Sequence, residues 1–458
     1  MRNLRTYLPM SAHFSTFYVR FCVLGIAGLL LLACENNSSN EDQTAQDEPQ
    51  PEFVADEDNG SISLENGFSA YVVADSVGKT RHMAIRDNGD IYVKIREAQN
   101  GGGVLALRDT TGDGRADIQE YFGEEVGGTG IGIHDGYLYY ASNTTVYRIK
   151  LDDEALSPSG TSEVVVEGFP EQNQHADKTL TFDGSGNMYV NVGAPSNACQ
   201  EQIRTPGSPG QDPCPQLEKQ AGIWRFDANQ VGQTQEDGER YATGIRNAVA
   251  IEWNDNANSL YAMQHGRDQL SNLWPEYYTD SMSAELPAEE FLKVDQGDDF
   301  GWPFCYYDPG KEQKVLGPEY GGNGEEVGRC EGIEAPIMAF PAHWAPNSLV
   351  FYNGDQFPEE YQNGAFIAFH GSWNRAPFPM EGYNVAFVPM ENGMPSGDYI
   401  RFADEFANQG GAIETPSSAE FRPTGLAIGP DGSLYISDDV KGRIWRVFYN
   451  DSNEMAMR

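Results

Sequence analysis

Six segments of the chain repeat one pattern, a turn of Gly, Asn or Asp followed by a short apolar strand with an aromatic residue at its centre. Several repeats are followed by a second strand in which apolar and polar residues alternate, such as IWRFDA from Ile223. Strand–turn–strand units that cannot bury their own faces stack around an axis. The repeat therefore predicts an all-β fold, a six-bladed β-propeller with the aromatic strand innermost in each blade. The central aromatics are Tyr92, Tyr139, Tyr189, Tyr261, Phe366 and Tyr435.

The intervals between repeats lengthen after the third, fourth and fifth repeats. A minimal blade needs about 40–50 residues, so the surplus predicts long insertions at these three places. Loops of that length in a compact domain are commonly functional. Because the repeat runs through the chain without a linker, two separate β-domains are disfavoured.

Residues 1–33 have the pattern of a targeting signal. Three arginines and no acidic residue precede an apolar run, FCVLGIAGLLLLA, at residues 21–33. A membrane span needs about 20 apolar residues, so the run fits a signal peptide better. It ends in LLAC, which resembles the bacterial lipobox, where cleavage leaves the cysteine, here Cys34, as a lipidated N-terminus. The alternative is an ordinary secretory signal with an incidental cysteine.

Residues 34–60 are polar and acidic, and they predict a flexible tether because they contain too little apolar surface to fold. Glu35 rather than Asp follows Cys34, which favours the outer membrane, facing the periplasm or the cell surface. The expected organisation is then a propeller over residues 61–450 and a flexible tail over residues 451–458. The lipid anchor is the expected membrane contact.

The formal net charge is −39 at pH 7. A chain this acidic lacks the basic surface that neutralises phosphates, which argues against nucleic-acid binding. Beyond the signal segment four cysteines remain, and four cysteines allow three pairings. The short-loop pairs are the simplest, and an exported location would keep them oxidised. These pairs are Cys199–Cys214 and Cys305–Cys330.

Polar residues concentrate where the chain is expected to enter and leave the inner strands, which is one mouth of a propeller channel. Three of them are arginines, and arginine suits bidentate recognition of carboxylates. The mouth therefore predicts a planar ligand with several negative charges. The candidates are Arg246, Asn247, His343, Trp344, His370, Arg375 and Arg422.

Five motifs follow one another along the chain: His175 leading into LTFDGSGNMYV, then GIRN from Gly244, QHGRD from Gln264, GDDFGWP from Gly297 and HGSWNR from His370. Over residues 65–449 the chain resembles the quinoprotein sugar dehydrogenases of the soluble glucose, aldose and sorbosone type. The sorbosone branch is the most similar. The resemblance implies a six-bladed propeller that binds pyrroloquinoline quinone (PQQ) and calcium.

The resemblance also implies roles for single residues. His175 matches the general base that takes the proton of the substrate hydroxyl, a role that suits an imidazole. Arg246 matches the arginine beside the reactive quinone carbonyl, where a fixed charge stabilises an oxyanion. Asn247 would hydrogen-bond the cofactor, and Arg422 would pair with one of its carboxylates.

The remaining implied roles concern the metal and the edges of the site. The main-chain carbonyls of Gly266 and Arg267 match the calcium ligands, and calcium prefers oxygen. His370 falls where the glucose enzymes place a cofactor-binding lysine, and Arg375 belongs to the same cofactor-binding set. Trp344 would stack on a sugar ring, with His343 and Asn197 beside the substrate.

The chain departs from the glucose enzymes at two points. Their aspartate that orients the histidine base is absent from the stretch GAPSN, where Asn197 is the nearest substitute. An amide cannot stabilise an imidazolium as a carboxylate does. The glucose enzymes also have two arginines near the C-terminus, one residue apart, and this chain has only Arg422 there.

The expected function is oxidation of a sugar, aldose or polyol hydroxyl by hydride transfer to calcium-bound PQQ, with an external cytochrome or quinone as electron acceptor. One alternative is a calcium-dependent lactonase-type hydrolase, for which Asp438-Asp439 is the only hint. Another is a non-catalytic propeller that binds glycans or protein. The segment from Asp109 to Asp117 resembles half of a calcium loop, but it lacks the distal Glu, which favours a turn between blade strands.

Overall fold

The computed structural model describes residues 53–124, 127–408 and 410–450. The predicted signal, the lipobox, most of the acidic tether and the C-terminal tail lie outside these ranges. None of the helices within them is long and apolar enough to cross a membrane. Residues 53–60, assigned to the tether from the sequence, pack on the propeller: Asn59 accepts from the Ala70 N–H, and Gly60 accepts from the Trp445 indole. The folded body thus begins before residue 61.

Six sheets of four or five strands form the blades, as the repeat predicts. The first two strands of the described part are β1 (Ser63–Leu64) and β2 (Phe68–Ala74). Blade I contains β3 (Thr80–Ile85), β4 (Ile91–Gln99), β5 (Gly102–Arg108) and β6 (Ile118–Phe122). Blade II contains β7 (Ile131–His134), β8 (Tyr137–Ala141), β9 (Val146–Lys150) and β10 (Glu163–Glu167). Blade III contains β11 (Leu180–Phe182), β12 (Asn187–Val192), β13 (Gly222–Asp227) and β15 (Glu239–Thr243), while β14 (Gln233–Thr234) adds in parallel to β10.

The second half carries the larger insertions. Blade IV contains β16 (Ala250–Asn254), β17 (Ser259–Gln264), β18 (Glu289–Val294) and β21 (Met338–Phe340), with the hairpin β19 (Cys305–Asp308) and β20 (Gln313–Leu316) inserted before β21. Blade V contains β22 (Pro346–Phe351), β23 (Ala365–His370), β24 (Tyr383–Val388) and β27 (Ile400–Asp404), with the small hairpin β25 (Met390–Glu391) and β26 (Met394–Pro395). Blade VI contains β28 (Pro423–Ile428), β29 (Leu434–Asp438) and β30 (Ile444–Tyr449).

Helices are short in the described ranges and lie in connections. Two α-helices, α1 (Leu270–Leu273) and α2 (Asp280–Glu285), occupy the insertion between β17 and β18. The 3₁₀ turns are Pro215–Glu218, Gln235–Asp237, Pro318–Tyr320, Gly328–Cys330, Glu359–Tyr361 and Pro416–Ser418.

The first strand of each blade, not the aromatic strand, lies innermost. Strands β3, β7, β11, β16, β22 and β28 contact one another in a closed ring around the axis. The aromatic strand follows the repeated turn and is second in its sheet, so the prediction that it is innermost is wrong. Its aromatics are buried between blades instead, as Tyr92 and Tyr261 show with no exposed surface. A cavity of about 610 Å³ runs along the ring and opens at the face where the repeated turns lie.

Blade VI is completed by the N-terminal strand. β2 pairs antiparallel with β30, so residues from both ends of the propeller share one sheet. β1 pairs with β27 and ties the same segment to blade V. Phe68 at the start of β2 is buried among Phe357, Tyr361 and Phe402.

Both predicted short-loop disulfides are present, Cys199–Cys214 between β12 and β13 and Cys305–Cys330 beside the β19–β20 hairpin. The segment after β5 is a turn between blade strands, as expected. The Asp109 carboxylate accepts from the backbone N–H groups of Thr111, Gly112 and Gly114.

Candidate active site

A pocket of about 240 Å³ lies at the mouth where the second strands end and the first strands begin, in blades III to V. It brings together four residues singled out in the sequence, namely His175, Arg246, Gly266 and His343. The other residues that line it are Gln174, Arg204, His265, Asp268, Glu289, Ala345 and Trp373.

His175 is held in one tautomer by the backbone. Its Nδ1 lies 2.6 Å from the carbonyl oxygen of Ala194, and because a carbonyl only accepts, Nδ1 carries the proton. Nε2 is left as an acceptor, and no described residue hydrogen-bonds it. Burial, reinforced by the Arg246 charge, lowers the pKa of His175 to about 3. The imidazole is therefore neutral near pH 7, with its free lone pair beside the pocket.

The loop that carries the Ala194 carbonyl requires a glycine. A Cβ on Gly193 would come within 2.7 Å of both the His175 Cβ and the Asn247 Oδ1. His175 itself has a φ of 51°, in the left-handed region. His175 and Asn247 thus both pack into the space that a side chain at position 193 would fill.

Arg246 is fixed by an almost fully buried carboxylate. Its Nη2 lies 2.8 Å from Asp268 Oδ2, and its Nη1 donates to the Gly266 carbonyl at 2.8 Å. Arg204 reaches the same Asp268 oxygen at 3.2 Å. Burial opposes ionisation of Asp268, but Arg246 and the other positive groups around it together outweigh burial, and the pKa of Asp268 is lowered. Two guanidinium groups therefore share one carboxylate, which leaves an excess of positive charge in the pocket.

Asn197, the predicted substitute for the missing aspartate, hydrogen-bonds the Arg246–Asp268 pair and not His175. Its Oδ1 accepts from Arg246 Nη2 and from the Asp268 N–H, and its Nδ2 donates to the Asp268 carbonyl. The amide positions the Arg246–Asp268 pair. The Ala194 carbonyl is the group that orients His175.

Glu289 is a buried carboxyl that the sequence did not indicate. It accepts from the N–H groups of Gly266 and Ala345 and is 2 % exposed. Burial raises its pKa to about 8. Glu289 begins β18 directly before a second acidic residue, Glu290, and belongs to none of the motifs, so no sequence signal distinguished it.

Two histidines from different blades bind consecutive carbonyls of β22 and cross the channel below the pocket. His265 Nε2 donates to the Pro346 carbonyl at 2.7 Å, and His82 Nε2 donates to the Asn347 carbonyl at 2.6 Å. Burial lowers the pKa of each to about 4. These neutral side chains separate the pocket from the cavity along the axis.

The predicted cofactor residues His370 and Arg422 lie in a second cluster next to the pocket. His370 Nε2 lies 2.8 Å from Asp439, whose other oxygen accepts from Arg81 at 2.9 Å. Arg422 donates to the carbonyls of His370 and Gly371. Neither residue lines the pocket itself, so their cofactor roles stay predictions. Arg81 went unassigned in the sequence.

Two residues that were predicted for the site, Arg375 and Trp344, do not line the pocket. Arg375 donates to the carbonyls of Ala284 and Pro379 and pairs with Glu285, so it fastens α2 to the loop after β23. Trp344 is 1 % exposed, and its ring packs edge-on against Phe369. The prediction that Trp344 stacks on a sugar is corrected, since a ligand cannot reach it.

Besides Glu289, Arg204, Asp268 and Trp373 line the pocket without having been assigned a role from the sequence. Asp268 ends the QHGRD motif, and Trp373 lies within HGSWNR, so the motifs contained both without showing their roles. Arg204 lies inside the loop closed by Cys199–Cys214. His343, which was predicted, lines the pocket while its Nε2 bonds the Ser283 carbonyl at 2.8 Å.

The donor set fits a planar polyanion. Arg246 Nε and Asn247 Oδ1 are buried without a hydrogen-bond partner among the described residues, and buried polar groups of this kind are normally satisfied. A ligand carboxylate in the pocket could accept from Arg246 Nε, and the excess positive charge favours carboxylates. Asn247 Oδ1 needs an N–H donor, and Asn247 itself does not line the pocket.

The described residues offer few ligands for a calcium ion. The Gly266 carbonyl already accepts from Arg246, and the described residues contain no group of three or more His, Cys, Asp or Glu side chains arranged for a metal ion. The Asp438-Asp439 pair gives no cage either. Asp438 accepts from the backbone N–H groups of Arg422 and Lys441, while Asp439 pairs with His370 and Arg81.

Solved structures share this fold. The PQQ domain of pyranose dehydrogenase from Coprinopsis cinerea, in its holo form, aligns with a TM-score of 0.68 at 20% identity, covering 87% of this chain and 98% of the domain. A Trichoderma reesei protein of carbohydrate-active enzyme family AA12 aligns with a TM-score of 0.69 at 18% identity, covering 85% and 98%. The soluble aldose sugar dehydrogenase from Escherichia coli gives a TM-score of 0.55 at 17% identity, covering 83% and 99%.

Two proteins are also similar to this chain in sequence. A Borreliella burgdorferi protein is 25% identical over 409 residues, covering 87% of this chain and 93% of that protein. The PQQ-dependent pyranose dehydrogenase of Coprinopsis cinerea is 25% identical over 279 residues, covering 52% of this chain but only 36% of that enzyme. The resemblance to quinoprotein sugar dehydrogenases is confirmed, and a family model matches residues 62–450. This chain belongs to the TrAA12-like family.

Proposed function

We propose that this protein is a PQQ-dependent dehydrogenase that oxidises a hydroxyl of a sugar or related polyol and passes two electrons to a separate acceptor. One observation carries the proposal: a neutral histidine with a free Nε2 lines the same pocket as an arginine locked onto a carboxylate. Relatives named for PQQ-dependent sugar oxidation support it. Bound PQQ supplies the quinone that accepts the hydride.

The protein's part begins at His175. Its Nε2 takes the proton of the substrate hydroxyl as the adjacent C–H bond gives up its hydride, so the substrate loses two electrons and two hydrogens. The Ala194 carbonyl keeps Nδ1 protonated throughout, which fixes the direction of the Nε2 lone pair. The low pKa keeps this site vacant for a proton at neutral pH.

Arg246 supplies the electrostatic component. Asp268, Asn197 and the Gly266 carbonyl hold its guanidinium, so the charge is already oriented before reaction and little reorganisation is needed. Asn247 is proposed to hydrogen-bond PQQ through the amide that has no partner at Oδ1. His370 and Arg422 are proposed to bind it from the neighbouring cluster.

Calcium is proposed to enter together with PQQ. The carbonyl of Arg267 and the second lone pair of the Gly266 carbonyl, whose first accepts from Arg246, would be its protein ligands. Further oxygen atoms would have to come from the cofactor because the described side chains form no cage. Calcium titrated alone should therefore bind weakly, while calcium with PQQ should bind tightly.

Export and anchoring at Cys34 remain proposals based on the sequence. The electron acceptor is proposed to be a separate cytochrome or quinone. Labelling with a radioactive or clickable fatty acid, compared between the full chain and a Cys34→Ala variant, tests the anchor.

The central experiment adds PQQ and Ca²⁺ to the purified protein and follows the quinone spectrum and sugar-dependent reduction of a dye. His175→Ala should lower dye reduction by about 10²–10⁴-fold and leave PQQ bound. His134→Gln is the matched control, because His134 lies at the end of β7, in the cavity below the crossing histidines. A His175→Ala protein with normal turnover, or a protein that never binds PQQ, contradicts the proposal.

A further inference from the structure

Trp373 is a largely exposed tryptophan on a loop that is otherwise held by hydrogen bonds. Half of its surface, 50 %, is exposed, and it lines the pocket. The residues around it are fixed: the Ser372 N–H donates to the Glu381 carbonyl at 2.8 Å, and the Arg375 side chain is buried. The loop therefore presents the indole at the rim in a defined position.

Arg204 stands beside the indole. Its guanidinium carbon lies 5.8 Å from the centre of the Trp373 ring, within the range of a cation–π contact. Arg204 is itself held by Asp268 and by Gln174. One side of the indole is thus backed by a fixed cation, and the exposed half of the residue remains open to a ligand.

The pocket volume determines where a sugar could bind, if the proposed function is correct. Cavities for drug-sized ligands span about 300–1,000 Å³, so a tricyclic cofactor would occupy most of the 240 Å³ available here. A sugar would then have to bind above the cofactor, at the rim. The large exposed aromatic surface at that rim belongs to Trp373.

We infer that Trp373 is the stacking platform for a cyclic sugar, a pyranose that lays its apolar C–H face on the indole while Arg204 holds the indole in place. Aromatic rings offer a rigid apolar face at low entropic cost, and a pyranose has a flat face to match. An open-chain polyol has no such face. Trp373 is thereby assigned to substrate recognition and selection of cyclic over linear substrates, and it takes no part in proton transfer.

The test compares Trp373→Leu with the unmodified protein, both loaded with PQQ and Ca²⁺. For a pyranose, KM should rise about tenfold with kcat nearly unchanged, while kcat/KM for a linear alditol stays the same. Trp253→Phe is the control, because Trp253 stacks on Tyr189 at the far end of β16. An unchanged ratio of pyranose to alditol kcat/KM overturns the inference, and so does a fall in kcat alone.

A second readout separates this inference from the proposed function. Saturation-transfer NMR detects binding of the pyranose without any turnover. Pyranose signals seen with the unmodified protein and lost with Trp373→Leu support the platform even if no dye is reduced. Equal signals from both proteins, or none from the unmodified protein, overturn it.

Discussion

The orientation of His175 depends on one carbonyl group. In place of a carboxylate, the Ala194 carbonyl accepts from Nδ1. A carbonyl fixes the tautomer as well as a carboxylate does, but it supplies no full negative charge to an imidazolium. The negative charge that acts on His175 is that of Asp268, which is shared with two arginines, and the Arg246 charge opposes it. The base is therefore well oriented but only weakly stabilised in its protonated form.

Removing the Asp268 charge should loosen the site. Asp268→Asn leaves Arg246 buried without its anion, and breaking a buried ion pair costs about 3–5 kcal/mol. We expect a lower urea midpoint and a large loss of dye reduction. Glu97→Gln, which breaks the exposed Lys79–Glu97 pair, is the control and should leave the midpoint nearly unchanged. Equal effects of the two substitutions would contradict the role of Asp268.

Buried titratable groups predict a stability maximum near neutral pH. The folded pKa values of His82, His175 and His265 are lowered from 6.5 to about 4, 3 and 4, mainly by burial. Below pH 6.5 the unfolded chain therefore binds more protons, and stability falls as pH falls. Glu252 and Glu289, raised to about 8 by burial, act in the opposite sense. Their stabilisation is present at low pH and is lost as pH rises through 8.

The urea midpoint measured from pH 4.5 to 9 checks this profile. His82→Gln keeps a donor for the Asn347 carbonyl but cannot be protonated, so it should flatten the acid side. Glu252→Gln should flatten the alkaline side. A monotonic profile would be inconsistent with these assignments.

At the level of elements, the site is built from loops on a rigid ring of strands. The repeated turns and alternating strands predicted the six blades because inter-blade packing requires an aromatic at each repeat. Which strand lies innermost did not follow, since first and second strands are both apolar. Likewise, the sequence could not tell Trp344 from Trp373: both follow a histidine near the mouth, and only packing buries one and exposes the other.

The Cys199–Cys214 loop places Arg204 at the rim from a distant part of the chain. Closing a 15-residue loop is worth about 3 kcal/mol in the chain-entropy model. A Cys199→Ser/Cys214→Ser variant should lose about that much stability and also raise the KM for a pyranose. A Cys305→Ser/Cys330→Ser variant should lose comparable stability but keep the KM, because its loop carries no pocket residue. A KM change in both variants would show that the effect is general.

At the scale of the whole molecule, one strand closes the ring. β2 completes blade VI, and Phe68 within it packs on aromatic rings of blades V and VI at centroid distances of 4.7–5.1 Å. Unfolding of this strand would leave both blades open. The closure therefore couples the stability of the ring to a segment near the N-terminus.

Phe68→Ala should lower the free energy of unfolding by about 3–5 kcal/mol, the usual cost of removing a buried phenylalanine. Because each blade packs on its neighbours around a closed ring, we expect a single unfolding transition that shifts as a unit. Val54→Ala is the control, since Val54 is 75 % exposed and should have no effect. Two separate transitions would show that blade VI opens independently.

The histidines that bind the carbonyls of β22 lie between the pocket and the cavity along the axis. His265 lines the pocket and His82 lines the cavity, so the rim where Trp373 lies is on the side of the pocket away from the axial cavity. If the proposed function is correct, the cofactor would bind first and the sugar after it. A sugar on the rim would then cover the cofactor, so a high sugar concentration should slow the loss of cofactor from the protein.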